Sequence, residues 1–268
     1  MDPILSGISL RDAGTALLDL AMPRHCVVCR RPLGLRERFI CLDCLVGFPF
    51  THHWDRSHNP MADKFNALIQ HDLDAAPSGL HEPYAFAAAL FFYNADSDFR
   101  HIPWHLKYEG GLAAGRLFAR MLGERLAASP QFADVDIVIP VPLHWTRRWR
   151  RGYNQAEVIA RELADVLGAD LRTDILRRAR RTRSQVRLPL AAKAANVRGA
   201  FSLRPQFRPL PAGSPEKPHN LRATEHILLV DDTFTTGSTL NACRAVLRQA
   251  FPLPTRISVA TLAYVSSE

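Results

Sequence analysis

The chain has 268 residues, 47% of them hydrophobic, enough to bury a full α/β core and still carry a small appendage. Lysine and arginine number 34 against 26 aspartates and glutamates, a formal charge of +8, and nearly all the cations are arginines; only Lys64, Lys107, Lys193 and Lys217 are lysines. Guanidinium is the phosphate-recognising cation, so this balance favours an anionic partner such as nucleic acid or diphosphate, with a solvated basic surface as the alternative.

No run approaches the ~18 apolar residues of a membrane span, which excludes membrane insertion by a helix. Arg11 and Asp12 interrupt the N-terminal apolar stretch, so no signal peptide is expected and a cytoplasmic location is inferred. Residues 8–22 (Ile8, Leu10, Ala13, Leu17, Leu18, Leu20) form a short amphipathic segment, an N-terminal helix expected to pack on the neighbouring segment. Next come Cys26-Val-Val-Cys29 and Cys41-Leu-Asp-Cys44. Two CxxC pairs have the spacing of a tetrahedral four-thiolate zinc site; with all four ligands from protein, such a site is structural. A redox CxxC is the competing reading. A segment this short buries little apolar surface, and zinc, at ~10–16 kcal/mol for structural sites, would supply the missing stability. His52, His53, His58, His71 and His81 come after it without a ligand spacing and read as a solvated connector. The expected organisation is 1–60 for the helix and zinc knuckle, 61–84 for the connector and 85–268 for the main domain.

Ala85–Tyr93 reads as the first strand of the main sheet, 98–108 as a helix stopped by Gly110-Gly111, and 112–126 as a second helix. Lys107, in the last turn, either projects toward an anionic ligand or complements the helix dipole. Residues 135–142 form a buried strand closed by Pro140 and Pro142. A loop with Arg147, Arg148, Arg150 and Arg151 around Trp145 and Trp149 then leads into a helix ending near Leu167. Those arginines suit a bidentate diphosphate clamp or, with the tryptophans, a single-stranded nucleic-acid platform; a solvated loop is the bland alternative. Asp174–Leu176 is a short strand. The arginine-rich 177–198 stretch reads as a flap, a nucleic-acid contact or a disordered tract, and the proline-rich 204–223 as an extended insertion outside the core.

Everything else is arranged around Ile227 to Leu240. Ile227–Val230 is a buried strand, Asp231-Asp232 begins a small-residue turn, and residues 239–249 have helical spacing. Arg256–Tyr264 closes the sheet, giving an α/β fold with a doubly wound parallel sheet whose ligand lies at the carboxyl ends of the strands. Thr235, Thr236, Gly237, Ser238 and Thr239 offer backbone N–H groups and hydroxyls at a helix N-terminus, a phosphate cradle in which Gly237 permits close approach. Paired carboxylates would repel phosphate but accept from the vicinal hydroxyls of a ribose. A ligand with a 5-phosphate and free 2- and 3-hydroxyls matches both halves.

This stretch resembles the phosphoribosyl-diphosphate (PRPP) motif of type I phosphoribosyltransferases. The chain as a whole resembles the ComF family: the four-cysteine knuckle, Leu106-Lys107-Tyr108, Pro140-Val-Pro142, Arg151-Gly-Tyr-Asn-Gln155, Thr182 to Asn196 and the PRPP motif occur in order. The pattern has arginine where this chain has Lys193, and the 204–223 insertion is longer than the family leads one to expect. The resemblance implies a type I phosphoribosyltransferase fold, bound zinc and a link to DNA uptake in natural competence. Two readings stand open: a competence protein that binds single-stranded DNA or the competence machinery and keeps a non-catalytic PRPP site, or a phosphoribosyltransferase in which Mg²⁺ neutralises the diphosphate of PRPP. Asp231 and Asp232 would then be the catalytic, ribose-binding acids.

Overall fold

The computed structural model describes residues 16, 18, 19, 22–75, 81–94, 96–108, 110–180, 199–208 and 225–265. Nearly all of the amphipathic 8–22 segment, the arginine-rich 181–198 stretch and residues 209–223 of the insertion lie outside the described residues.

Five strands make one parallel sheet in the order β1-β7-β6-β2-β3: β1 (Ala87–Tyr93), β2 (Ile137–Pro140), β3 (Asp170–Leu171), β6 (His226–Phe234) and β7 (Arg256–Val265). The central strands read as unbroken apolar runs because both faces are covered. Along β6, Leu228 and Val230 face one core while Ile227 and Leu229 face the other. The first core takes α3 (His101–Tyr108), α4 (Leu112–Ala127) and α6 (Gln155–Leu167), through residues such as Leu106, Phe118, Leu122, Ile159 and Leu163. The second takes α2 (Pro60–Asp74) and α7 (Ser238–Leu247), through Met61, Phe65, Ile69, Leu240 and Leu247. Of two short helices, α1 (Leu42–Val46) carries Cys44 of the second cysteine pair, and α5 (Trp145–Arg151) follows the end of β2.

Several expectations change. The stretch read as a solvated connector contains α2, capped by Asn59, whose side chain accepts from Met61 and Ala62 N–H. His53 in the same stretch is buried, and burial pulls its pKa down to about 4. The strand expected at 174–176 is β4 (Leu176–Arg178), paired antiparallel with β5 (Phe201–Leu203) in a separate two-stranded sheet. At the start of the insertion, Phe207 is buried in the second core, so 204–208 does contribute to it. The Arg147–Arg151 loop is the helix α5. Finally, β6 runs past Val230 to Phe234, its ladder with β7 kept by Thr233 opposite Ala263 and Phe234 opposite Tyr264. Asp231 and Asp232 therefore end a strand instead of opening a turn.

After β6 the chain crosses toward β7 and β1, whereas after β2 it crosses toward β3. The adjacent carboxyl ends of β6 and β2 are thus a topological switch point, where an open α/β sheet leaves a crevice.

Candidate functional site

A cleft of about 860 Å³ opens at that point, lined by residues 231–240, by Val141 to Leu143, and by side chains from α3, α5 and β4. Its floor is the β6–α7 junction. Gly237 has φ +75° and caps α7 without a side chain, leaving the first N–H groups of the helix facing the loop. A Cβ there would meet Phe234 Cζ at 2.8 Å, so glycine serves both conformation and space. The Thr236 hydroxyl stands 2.8 Å from that of Ser238 and accepts from the Ser238 N–H. Asp231 Oδ1 accepts from the Asp232 N–H at 2.8 Å. Burial, with the Asp232 carboxylate beside it, pushes the Asp231 carboxyl up to about 7.

Helix α5 divides the arginines that are neighbours in sequence. Arg147 and Arg151, four positions apart, line the cleft. Arg148 turns to Glu157 (3.1 Å), and Arg150 is exposed outside the cleft lining, as are Trp145 and Trp149. Burial lowers the Arg147 pKa, and the guanidiniums of Arg178, Arg151 and Arg150 lower it further. Such crowded cations are relieved by an anion. The turn after α5 is held in place by its own polar groups. Gly152 adopts φ +81°, the Tyr153 hydroxyl donates to the Leu106 carbonyl (2.5 Å), and the Asn154 amide donates to the Val141 carbonyl (3.0 Å). Gln155 accepts from Arg151.

That tyrosine anchors the end of α3, which carries Lys107. Its Nζ lies 2.5 Å from Asp232 Oδ2. Burial opposes the ammonium, but the Asp232 carboxylate outweighs it and the Lys107 pKa is raised. Lys107 thus engages the acidic pair. Trp104 and Tyr108, half exposed on the same helix, line the mouth with ring centroids 4.4 Å apart; Arg151 lies over the Tyr108 ring.

Cys26, Cys29, Cys41 and Cys44 converge, with all four Sγ atoms within 4.8 Å of one another. The Cys29–Cys41 separation is 3.7 Å, close to the ~3.8 Å expected of tetrahedral thiolates with bonds of about 2.3 Å, so the set could hold a metal ion. Arg31 donates to Cys29 Sγ and draws that thiol down to about 6, favouring thiolate; burial pushes Cys44 upward. Val27 and Val28, between the first two cysteines, are buried in the first core, so the knuckle is welded to the main domain.

The chain is 35% identical over 231 residues to Competence protein F of Haemophilus influenzae, an alignment covering 84% of this chain and 91% of the relative. The chain belongs to the ComF family. Other ComF relatives include the DNA utilization protein YhgH of Escherichia coli strain K12 (31% over 236 residues) and of Salmonella typhimurium (25% over 230 residues), each covering 82% of this chain and 89% of the relative. No protein-family model matches the chain. A solved structure of TT1426 from Thermus thermophilus aligns at 20% identity over 57% of this chain and 84% of that one, with a TM-score of 0.30.

Side chains not singled out in the sequence also shape the cleft of this ComF chain, among them Arg178 in its lining and Lys64 behind it. Arg178, on β4, lines it; burial lowers its pKa and Asp231 partly offsets this. It sat at the edge of a long arginine tract, indistinguishable there from its neighbours. Lys64 of α2 donates to the Thr235 carbonyl at 3.0 Å and so braces the loop from behind. Among the described residues no helix is long and apolar enough to cross a membrane.

Proposed function

We propose that the cleft binds PRPP, or a phosphoribosylated nucleotide, with Mg²⁺, and that the chain serves DNA uptake in natural competence. The observation that carries this is one juxtaposition: two carboxylates at the end of β6, the open N-terminus of α7 six residues on, and Arg147, Arg151 and Arg178 on the facing wall. Residues Thr235 to Thr239 would take the 5-phosphate, and Asp231 with Asp232 the ribose hydroxyls. The arginines would face the diphosphate, where charge develops as that group leaves in pentosyl transfer. Bound Mg²⁺ would neutralise the diphosphate and hold it as a leaving group. Lys107 would then exchange its partner Asp232 for the ligand or share it. The four-cysteine set suits structural zinc. The names of the relatives, competence and DNA utilization, support the biological half of the proposal.

A thermal-shift titration tests it. Ligand at ~100 times its dissociation constant stabilises by about 2.7 kcal/mol, a shift of several degrees for a chain of this size. An unmoved melting curve in folded, metal-loaded protein would remove the PRPP reading. Exposed Trp145 (72%) and Trp149 (86%) beside Arg148 and Arg150 favour a second reading, in which single-stranded DNA stacks on the outer face of α5 and the PRPP site is non-catalytic. Its signature is affinity that falls steeply with salt, by about −0.7 in logarithmic slope for each phosphate neutralised.

A further inference from the structure

The cysteine knuckle is a wall of the cleft as well as a staple. Arg30 directly follows Cys29, and its backbone is left-handed (φ +63°) so that its N–H can close the knuckle turn onto the Cys26 carbonyl at 2.9 Å. From there Arg30 lines the cleft. Two residues before it in sequence, the Val28 carbonyl lies 3.0 Å from Nδ1 of His101, which also lines the cleft from the first turn of α3. A carbonyl only accepts, so His101 donates from Nδ1, and in the neutral ring Nε2 is then the acceptor. Both contacts originate within four residues of the first cysteine pair, and burial of Val27 and Val28 in the main core keeps them in register with α3.

We propose that Arg30 is an anion-binding residue of the cleft, that His101 is a positioning residue whose tautomer is set by the knuckle, and that metal loading of the four thiolates therefore sets ligand affinity. This rests on the PRPP reading of the cleft. A cation held on a left-handed turn between two metal ligands keeps its position only while the turn persists. Loss of the metal frees the turn, withdraws Arg30 and releases the His101 ring.

Calorimetric titration of the full-length, zinc-loaded protein with PRPP·Mg²⁺ decides the matter. Asparagine tolerates the left-handed region, so Arg30→Asn removes the charge while retaining the turn. It is expected to weaken binding about tenfold, the loss of one charge-assisted contact. His101→Phe is expected to weaken it about threefold, and Arg116→Gln, a charge lost from the exposed face of α4, to leave it unchanged. Nitrogen NMR of the His101 ring should show the Nδ1-protonated tautomer in loaded protein and loss of that preference once the metal is chelated. Wild-type affinity in both Arg30→Asn and His101→Phe, or a tautomer indifferent to metal, would overturn the coupling while leaving the PRPP reading intact. A wild-type protein that does not bind PRPP would overturn both.

Discussion

At the residue scale the site is a balance of charges. Asp231 and Asp232 are adjacent, partly removed from water, and answered by Lys107 on one side and Arg178 on another. The Asp231 carboxyl is raised from the ordinary carboxylate range to about 7, so the folded protein holds this proton more tightly than the unfolded chain does. Its contribution favours folding at low pH and is lost as pH rises from about 4 through 7. Asp231→Asn, which cannot ionise, should therefore gain stability relative to wild type across that window. Melting curves at pH 5 and pH 8 check this: a gap between the two proteins that is wider at pH 8 is expected, and an equal gap would contradict it. The acids were legible in sequence because each position of the motif has its own mechanical task. The Lys107–Asp232 pair was not, since it joins two elements far apart in the chain; the helix-end position of Lys107 and its place in Leu106-Lys107-Tyr108 hinted at a role without naming its partner.

At the scale of elements, the β6–α7 junction is supported by α2 from behind. Lys64 holds the Thr235 carbonyl, and Leu68 Cδ1 would lie 3.0 Å from a Cβ at Gly237. Gly237→Ala meets both a positive φ and this contact, and should cost about 1–3 kcal/mol with loss of ligand binding. Chemical denaturation and a ligand titration of the same variant read both effects. Helix α2 was missed because histidines and acids obscure its apolar stripe. Yet Met61, Ala62, Phe65 and Ile69 follow helical spacing, and Asn59-Pro60 is a start signal. The arginine cluster was legible as a group, but its division required the helix: consecutive residues turn by about 100°, so only Arg147 and Arg151 share the inward side. Elsewhere, Asp134, His226 and Ser258 are linked by contacts of 2.7 Å, the order of a hydrolytic triad. The Ser258 hydroxyl is fully buried and accepts from the Phe86 N–H, and none of the three lines the cleft. They tie the amino ends of β6 and β7, and Ser258→Ala should alter stability without altering ligand binding.

For the whole molecule, a five-stranded parallel sheet between two apolar layers, with a knuckle sharing the first layer, places the contacts proposed for PRPP around a single crevice. The class of fold could be read from buried runs such as Ile227–Val230 alternating with amphipathic helices; the strand order could not, because parallel neighbours are brought together by crossovers that leave no local pattern. The knuckle's attachment was equally hidden, as Val27 and Val28 look like spacers between ligands until their burial is seen. Because they belong to the core, chelating a metal held by the four cysteines should lower the melting temperature of the entire domain by about 10 °C or more, in one transition. A separate, small transition for the knuckle would contradict this.

Asp231, Asp232 and the Thr235 to Thr239 loop are proposed to bind one ligand together. Calorimetry with PRPP·Mg²⁺ on wild type and on Asp231→Asn/Asp232→Asn tests this most directly. Saturable one-to-one binding by wild type, weakened at least about tenfold in the double variant while the fold is retained, is the expected result. Equal affinity in the two proteins, or none in either, would contradict the assignment of this cleft.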